Sequence, residues 1–213
     1  MSVGNRADAR PPTDAARLEA LWSGEFGDAY TARNAAAGEE RRRFWRATLD
    51  EFPAARVLEV GCNLGANLRW IASEGSGTVC GVDVNRQALC RLHRAVPAAR
   101  PVVATALGLP FGDRAFDLVF TVGVLIHQPP AALPAVMAEI VRCSRRFILC
   151  GEYYAAEPTE VAYRGQTGAL FKRDFGGLYR QLFPRLALRK RQFLSQADGW
   201  DDVTFWMFEK VDA

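Results

Sequence analysis

Apolar positions recur at two spacings along this chain, and the change from one to the other divides it. From Asp14 the spacing is helical, with Leu18, Leu21 and Trp22 on one face at i, i+3 and i+4. A second short helix is expected over 25–34 and a third over 39–50, stopped by Pro53. From Arg56 onward, short apolar runs alternate with amphipathic stretches. The runs predict strands at 56–60, 78–82, 101–105, 116–122, 147–151, 186–194 and 203–211. Helices are expected at 67–73, 86–95, 131–143 and 172–182, with a long irregular stretch up to Leu170.

Strands that alternate with helices imply a parallel sheet covered on both faces. The last two strands are joined by residues 196–201, too few for a helical crossover, so that pair is expected to be antiparallel. The fold class is therefore α/β: a Rossmann-like, doubly wound, mostly parallel seven-stranded sheet with an antiparallel C-terminal strand pair. The N-terminal helices have no place in the sheet and read as a lid. The expected organisation is a flexible segment over 1–13 and a single domain over 14–213, with the lid at 14–53 and the core at 54–213.

Composition narrows the class without naming the chemistry. The chain has 213 residues and a net charge of only +3, too little by itself to argue for nucleic acid. Two basic clusters, Arg41-Arg42-Arg43 and Arg189-Lys190-Arg191, read as solvated surfaces. No apolar run approaches the roughly 20 residues of a membrane span, and the first residues carry no apolar signal core. Five cysteines without CxxC spacing fit a reduced compartment, with neither a disulfide frame nor a metal site. These features predict a cytoplasmic protein, monomeric or homodimeric, with no membrane partner.

In an open α/β sheet, ligands bind beyond the carboxyl ends of the strands. After the first strand comes Gly61-Cys62-Asn63-Leu64-Gly65, whose glycines permit a tight turn and close approach of a ligand. The second strand ends at Asp83, eighteen residues beyond Gly65, where a carboxylate can accept hydrogen bonds from ribose hydroxyls. These two features fit a nicotinamide dinucleotide site almost as well as other nucleosides. The dinucleotide fingerprint G-x-G-x-x-G is broken, however, because Asn63 and Ala66 occupy glycine positions.

Three features resolve the choice by resemblance. Leu58-Glu59-Val60-Gly61-Cys62-Asn63-Leu64-Gly65 resembles the first motif of class I S-adenosylmethionine-dependent methyltransferases. The passage from Leu109-Pro110-Phe111 to Asp117-Leu118-Val119 resembles the approach to that family's fourth strand, and the final antiparallel pair resembles its last two strands. Within that family, Trp22 to Asn34, Thr121 to Pro129, Gly151-Glu152-Tyr153-Tyr154, Tyr163-Arg164-Gly165 and Leu170 to Phe175 resemble methylases associated with bacterial pseudaminic acid biosynthesis. The resemblance implies S-adenosyl-L-methionine as cofactor. It assigns Glu59, Gly61, Asn63 and Gly65 to the methionine portion, Asp83, Val84 and Asn85 to the ribose, Ala106 and Leu107 to the adenine, and Thr121 to the same strand-end region. Asn63 departs from the family's middle glycine, and Thr105 stands where many members carry an Asp for the adenine amino group. From the lid, Tyr30 and Arg33 are expected to reach the cofactor carboxylate.

The implied reaction is methyl transfer to an oxygen or nitrogen of a small polar acceptor, such as a sugar, nucleotide sugar or natural-product intermediate. Such an acceptor must lose a proton, and a base within hydrogen-bond reach assists. His127, just past the fourth strand, and Glu152, just past the fifth, are the candidate catalytic groups. Tyr153 and Tyr154 are expected to contact substrate, and Arg164, Lys172 and Arg173 to clamp an anionic group. A tRNA or protein methyltransferase, or a cofactor-binding protein without catalysis, are the alternative readings.

Overall fold

The computed structural model describes residues 14–33, 39–75 and 77–211. The segment 1–13, expected to be flexible, lies outside the described residues. Helices α1 (Asp14–Ser23), α2 (Glu25–Arg33) and α3 (Glu39–Glu51) precede the sheet. The alternating core follows as β1 (Arg56–Val60), α4 (Ala66–Ser73), β2 (Thr78–Asp83), α5 (Arg86–Ala95), β3 (Ala99–Val103) and β4 (Phe116–Val122). Then come a 3-10 turn (Leu125–His127), α6 (Leu133–Cys143), β5 (Ser144–Glu152), the two-residue strands β6 (Thr159–Glu160) and β7 (Phe171–Lys172), α7 (Phe175–Leu182), β8 (Leu186–Leu194), a second 3-10 turn (Gln196–Asp198) and β9 (Val203–Lys210).

The main sheet has seven strands in the order β3-β2-β1-β4-β5-β9-β8. Strands β1 to β5 run parallel, β9 is antiparallel to β5, and β8 is antiparallel to β9. The doubly wound, mostly parallel sheet with its antiparallel pair is thus the fold the pattern predicts. Successive side chains of a strand face opposite sides, and the two cores follow this alternation. In β9, Phe205 and Met207 join Trp45, Leu68, Ile71, Leu89 and Leu92 under α3, α4 and α5. Trp206 and Phe208 join Val136, Met137, Ile140, Phe175 and Tyr179 under α6 and α7.

Some boundaries differ from the pattern, each for a local reason. Strand β3 begins at Ala99, two residues earlier than its apolar run. Strand β5 begins at Ser144, because Arg145 and Arg146, polar residues on an otherwise apolar strand, pair outward with Asp117 and Glu209. Helix α7 starts only at Phe175, since the Asp174 carboxylate accepts from Gly177 N at 2.8 Å and caps it. Lys172 therefore lies in β7, paired with Thr159, and not in the helix.

The order reverses between β1 and β4, whose registers place Glu59 opposite Phe120. A crevice opens at such a switch point beyond the carboxyl ends of the strands. Helices α1 and α2 lie across it. Asn85 Nδ2 donates to Asp28 Oδ1 at 2.8 Å and to the Trp22 carbonyl at 3.2 Å, which ties α2 and the end of α1 to the start of α5. Arg17 Nη2 donates to the Gly168 carbonyl at 2.8 Å, which ties α1 to the stretch before β7.

Candidate active site

The loop after β1 is shaped by its backbone. Gly61 has φ +73°, and a Cβ there would stand 2.4 Å from Val124 Cγ2. Its N–H and that of Cys62 donate to the Val82 carbonyl at 2.7 and 2.9 Å, which pins the turn to β2. Asn63 also takes the left-handed conformation, φ +46°, which asparagine tolerates better than most residues. The Asp83 carboxylate accepts from the N–H of Asn63 and of Asn85, both at 2.8 Å. Burial raises the Asp83 pKa, and those backbone donors oppose the rise. The carboxylate is thereby fixed at the end of β2 with acceptor capacity to spare.

Across the crevice, Glu59 is only 2% exposed. Its Oε1 accepts from Asn67 Nδ2 at 2.6 Å, and Asn67 Oδ1 in turn takes the Trp45 indole N–H at 3.2 Å. Its Oε2 is buried without a partner. Burial pushes the Glu59 pKa up to about 8, against the opposing pull of Asn67 and of the Arg41 charge. Arg41 enters from α3, its guanidinium 4.4 Å from the Trp200 ring centroid and its Nε buried without a partner. Burial lowers its pKa, while the charges of Asp201 and Glu59 raise it. Tyr30, on α2, lines the same cavity, its hydroxyl pKa raised to about 12 mainly by burial. Val84 and Asn85 continue this wall beyond β2, and Ala104 to Leu107 beyond β3.

The other end of the cavity is aromatic and apolar. His127 ends the 3-10 turn after β4 and is 8% exposed. Its Nδ1 donates to the Ala169 carbonyl at 2.6 Å. That bond fixes the tautomer, so Nε2 carries the lone pair. Burial lowers the His127 pKa to about 4, against the opposing Ala169 hydrogen bond. The ring centroid stands 4.4 Å from Trp22 and 5.2 Å from Tyr163. Leu18, Glu19, Gln128 and Leu170 line the same end.

Of the residues expected at the site, Tyr30, Glu59, Gly61, Asn63, Asp83, Val84, Asn85, Ala106, Leu107, His127 and Tyr153 line the one cavity. Glu152 does not line it. Its carboxylate is fully buried and accepts from the N–H of Val124, Leu125 and Ile126 at 3.2, 3.0 and 3.2 Å. It therefore holds the turn that carries His127, where a catalytic carboxylate was expected. Gly65 lies behind the loop at the start of α4, with the space of its missing Cβ taken by Leu92. Thr121 is buried within β4. Arg33 is exposed and outside the lining, and the arginine in the cavity is Arg41. Tyr154 packs under Arg191, 4.9 Å from its ring. Arg164 and Lys172 lie over the rings of Tyr163 and Tyr153, at 5.7 and 5.5 Å, and with Arg173 fall outside the lining.

Sequence reading missed Arg41, Trp200 and Asp201. Arg41 sat in a basic triplet read as solvated, yet Arg41, Trp45 and Thr48 share one helical face at i, i+4 and i+7, and the latter two are buried. That spacing was the available signal. Trp200 and Asp201 sit in the β8–β9 loop, which the pattern marked only as a connection. Among the described residues, no helix is long and apolar enough to cross a membrane, and no cluster of His, Cys, Asp and Glu could hold a metal.

Residues 57–146 match a family model described as a methyltransferase domain. An uncharacterized methyltransferase of Synechocystis sp. is 36% identical over 108 residues, which are 49% of this chain and 50% of that protein. The methyltransferase GfsG of Streptomyces halstedii is 31% identical over 117 residues, 52% of this chain and 41% of that protein. The chain thus spans half or less of the curated relatives it matches. In fold the likeness covers nearly everything. The 1,6-didemethyltoxoflavin-N1-methyltransferase of Burkholderia thailandensis, solved with 1,6-didemethyltoxoflavin and S-adenosylhomocysteine, has a TM-score of 0.72 at 19% identity, covering 98% of this chain and 94% of that one. Magnesium protoporphyrin IX methyltransferase of Synechocystis, solved with S-adenosylmethionine, has a TM-score of 0.72 at 13% identity, covering 98% and 100%. Residues 57–146 are thus similar in sequence to a methyltransferase domain, and nearly the whole chain shares the Rossmann-like fold of these solved methyltransferases.

Proposed function

We propose that the protein binds S-adenosylmethionine at the β1–β2–β3 end of the cavity and methylates an oxygen or nitrogen of a small molecule held at the other end. The observation that carries this reading is the pair of buried, unpartnered polar atoms, Glu59 Oε2 and Arg41 Nε, on residues that line the same cavity as Asp83. A buried polar group without a partner costs stability, and an amino acid's ammonium and carboxylate would satisfy one each. Glu59 would hold the ammonium, Arg41 with Tyr30 the carboxylate, Asp83 the ribose hydroxyls, and Ala106 and Leu107 the adenine. The left-handed Gly61, with no Cβ, keeps the wall beside Val124 open.

Bound there, the cofactor supplies an electrophilic methyl group. The chain's own residues supply position and proton handling. His127 is neutral at pH 7 because burial disfavours its cation. Its Nε2 is therefore free to accept a hydrogen from the acceptor, while Ala169 holds the ring still through Nδ1. Glu152 positions that turn from behind. Helices α1 and α2 form the cover that excludes water, over a single domain in which α3 packs on the sheet.

Titration calorimetry tests the cofactor, and S-adenosylhomocysteine release against a panel of phenols, heterocycles, amines and sugars tests the reaction. Binding of S-adenosylmethionine with no response to NADH is the expected result. Tight NADH binding without S-adenosylmethionine binding would reject the reading. Cofactor binding without product from any acceptor would reduce the protein to a binding module.

A further inference from the structure

We infer that the acceptor is a flat, uncharged ring system bearing an acidic O–H or N–H, stacked on the Trp22–Tyr163 wall with that hydrogen directed to His127 Nε2. The inference rests on the methyltransferase reading and deepens it, because it concerns only the end of the cavity left once the cofactor residues are assigned.

Charge excludes the anionic acceptors first. Among the described residues that line the cavity, Arg41 is the only lysine or arginine, and it stands at the cofactor end beside Glu59 and Asp201. The acceptor end carries instead Glu19, an acid. Arg164 and Lys172 lie over the rings of Tyr163 and Tyr153 and do not themselves line the cavity. A diphosphate entering here would meet a carboxylate and no counter-charge, and an uncompensated charge is costly to desolvate. The nucleotide sugar implied by the closer resemblance has no place for its phosphates.

Shape and hydrogen bonding then favour a ring. Trp22 and Tyr163 have centroids 6.4 Å apart and planes inclined by 33°, so together they form a shallow aromatic wall. Phe26 backs both, edge-on to Trp22 at 5.3 Å and to Tyr163 at 6.2 Å. Leu18 and Leu170 complete the apolar lining. Such a surface pairs best with another π-face. A free sugar would need many hydrogen-bond partners, and this end offers few. Trp22 Nε1 is buried without a partner, one donor for a ring carbonyl or ring nitrogen.

The base selects the acidic hydrogen. His127 Nδ1 is fixed on Ala169, so Nε2 is the sole proton acceptor of the ring. Its buried setting favours the neutral imidazole strongly over the cation. Proton acceptance by so weak a base is efficient only from a group that is itself acidic, such as a phenol or a heteroaromatic N–H, and inefficient from an aliphatic alcohol.

The test needs no turnover. The protein is saturated with S-adenosylhomocysteine, whose own affinity is measured by calorimetry, and 7-hydroxycoumarin binding is followed by fluorescence anisotropy with UDP-N-acetylglucosamine as the contrasting probe. Saturable coumarin binding is expected, with little or none for the sugar nucleotide. Trp22→Ala and Tyr163→Ala should each weaken the coumarin about tenfold, the scale of an aromatic contact plus its buried area. Trp22→Phe should restore most of it, and S-adenosylhomocysteine affinity should stay within about twofold. Two alanine variants guard against a fold defect in one. Coumarin binding that neither alanine variant weakens, or tighter binding of UDP-N-acetylglucosamine, overturns the inference. So does S-adenosylhomocysteine binding with no coumarin binding, which leaves the methyltransferase reading standing. Failure to bind S-adenosylhomocysteine at all removes that reading and the inference together.

Discussion

The two ends of the cleft are built on different principles. The proposed cofactor end is framed by two chain segments, 59–64 and 82–85, at the tips of two neighbouring strands, with Arg41 and Tyr30 reaching in from α3 and α2. Its geometry is set by backbone: Gly61 and Cys62 N–H on the Val82 carbonyl, and Asn63 and Asn85 N–H on the Asp83 carboxylate. The acceptor end is assembled from Leu18 and Trp22 on α1, His127 after β4, and Tyr163 and Leu170 before β7. No backbone ladder joins these pieces, and side-chain packing sets their geometry. A backbone-built site tolerates substitution, as Asn63 in place of a glycine illustrates. A side-chain-built site changes its ligand with each substitution, so the same fold can serve many acceptors.

The strongest way to break this contrast is through Glu152. If it only holds the 124–126 turn, Glu152→Ala should leave three buried N–H groups unpartnered and cost about 3 kcal/mol of stability, read from urea denaturation. S-adenosylmethionine affinity should move little. Glu152→Gln keeps an acceptor and should lose less. A full loss of turnover in a stably folded Glu152→Gln would place the carboxylate in the chemistry after all. Next in size, Asp83→Ala should weaken the cofactor by about 1–3 kcal/mol, and calorimetry reads it directly.

Glu59 sharpens the comparison through pH. Its folded pKa of about 8 lies above the ordinary carboxyl value, so the native state holds this proton more tightly than the unfolded chain. Stability is therefore lost as pH rises from the ordinary carboxyl range toward 8, and Glu59→Gln should be the more stable ligand-free protein at pH 8. An ammonium beside Oε2 favours the ionised form. S-adenosylmethionine affinity should then rise up to about tenfold per pH unit below about 8 and fall again above it, as the ligand's own α-ammonium loses its proton. At pH 7 binding should release close to one proton, seen as a buffer-dependent heat. A pH-independent affinity in Glu59-containing protein would detach Glu59 from the ammonium.

The same contrast explains what could be read in advance. The strands and the order of elements were legible because β1, β2, β4 and β9 are nearly continuous apolar runs. The loop after β1 was legible as a cavity wall because its residues are adjacent in sequence, and Gly61 there and Asp83 at the end of β2 both line the cavity as expected. Arg41 was not, since a basic triplet gives no hint of which member turns inward until Trp45 and Thr48 are known to be buried. Nor was the role of Glu152, because a strand-end carboxylate looks the same in sequence whether it faces a cavity or three backbone amides. The basic residues 164, 172 and 173 misled for the same reason: sequence places them near the ligand end, and only packing decides which way they point.

The smallest expected effect bears on Asn63, which joins the two regions from the loop as Asn85 does from the start of α5. Asn63 occupies the cofactor loop, yet its Oδ1 accepts from Thr31 Oγ1 of α2 at 2.9 Å. The side chain that breaks the glycine pattern thereby links the loop to the helices that carry Trp22. Asn63→Gly should relieve the left-handed backbone at φ +46° while losing this bond, two terms of opposite sign and each about 1 kcal/mol or less. The net stability change should therefore be near zero, and stability alone is the wrong readout. A double-mutant cycle with Thr31→Val isolates the bond, with an expected coupling of about 0.5–1.5 kcal/mol in S-adenosylmethionine affinity. Coupling present in affinity would make Asn63 the point at which the helical cover and the cofactor loop act together. Zero coupling would leave the Asn85 bonds to Asp28 and the Trp22 carbonyl to carry the link between cover and cofactor residues.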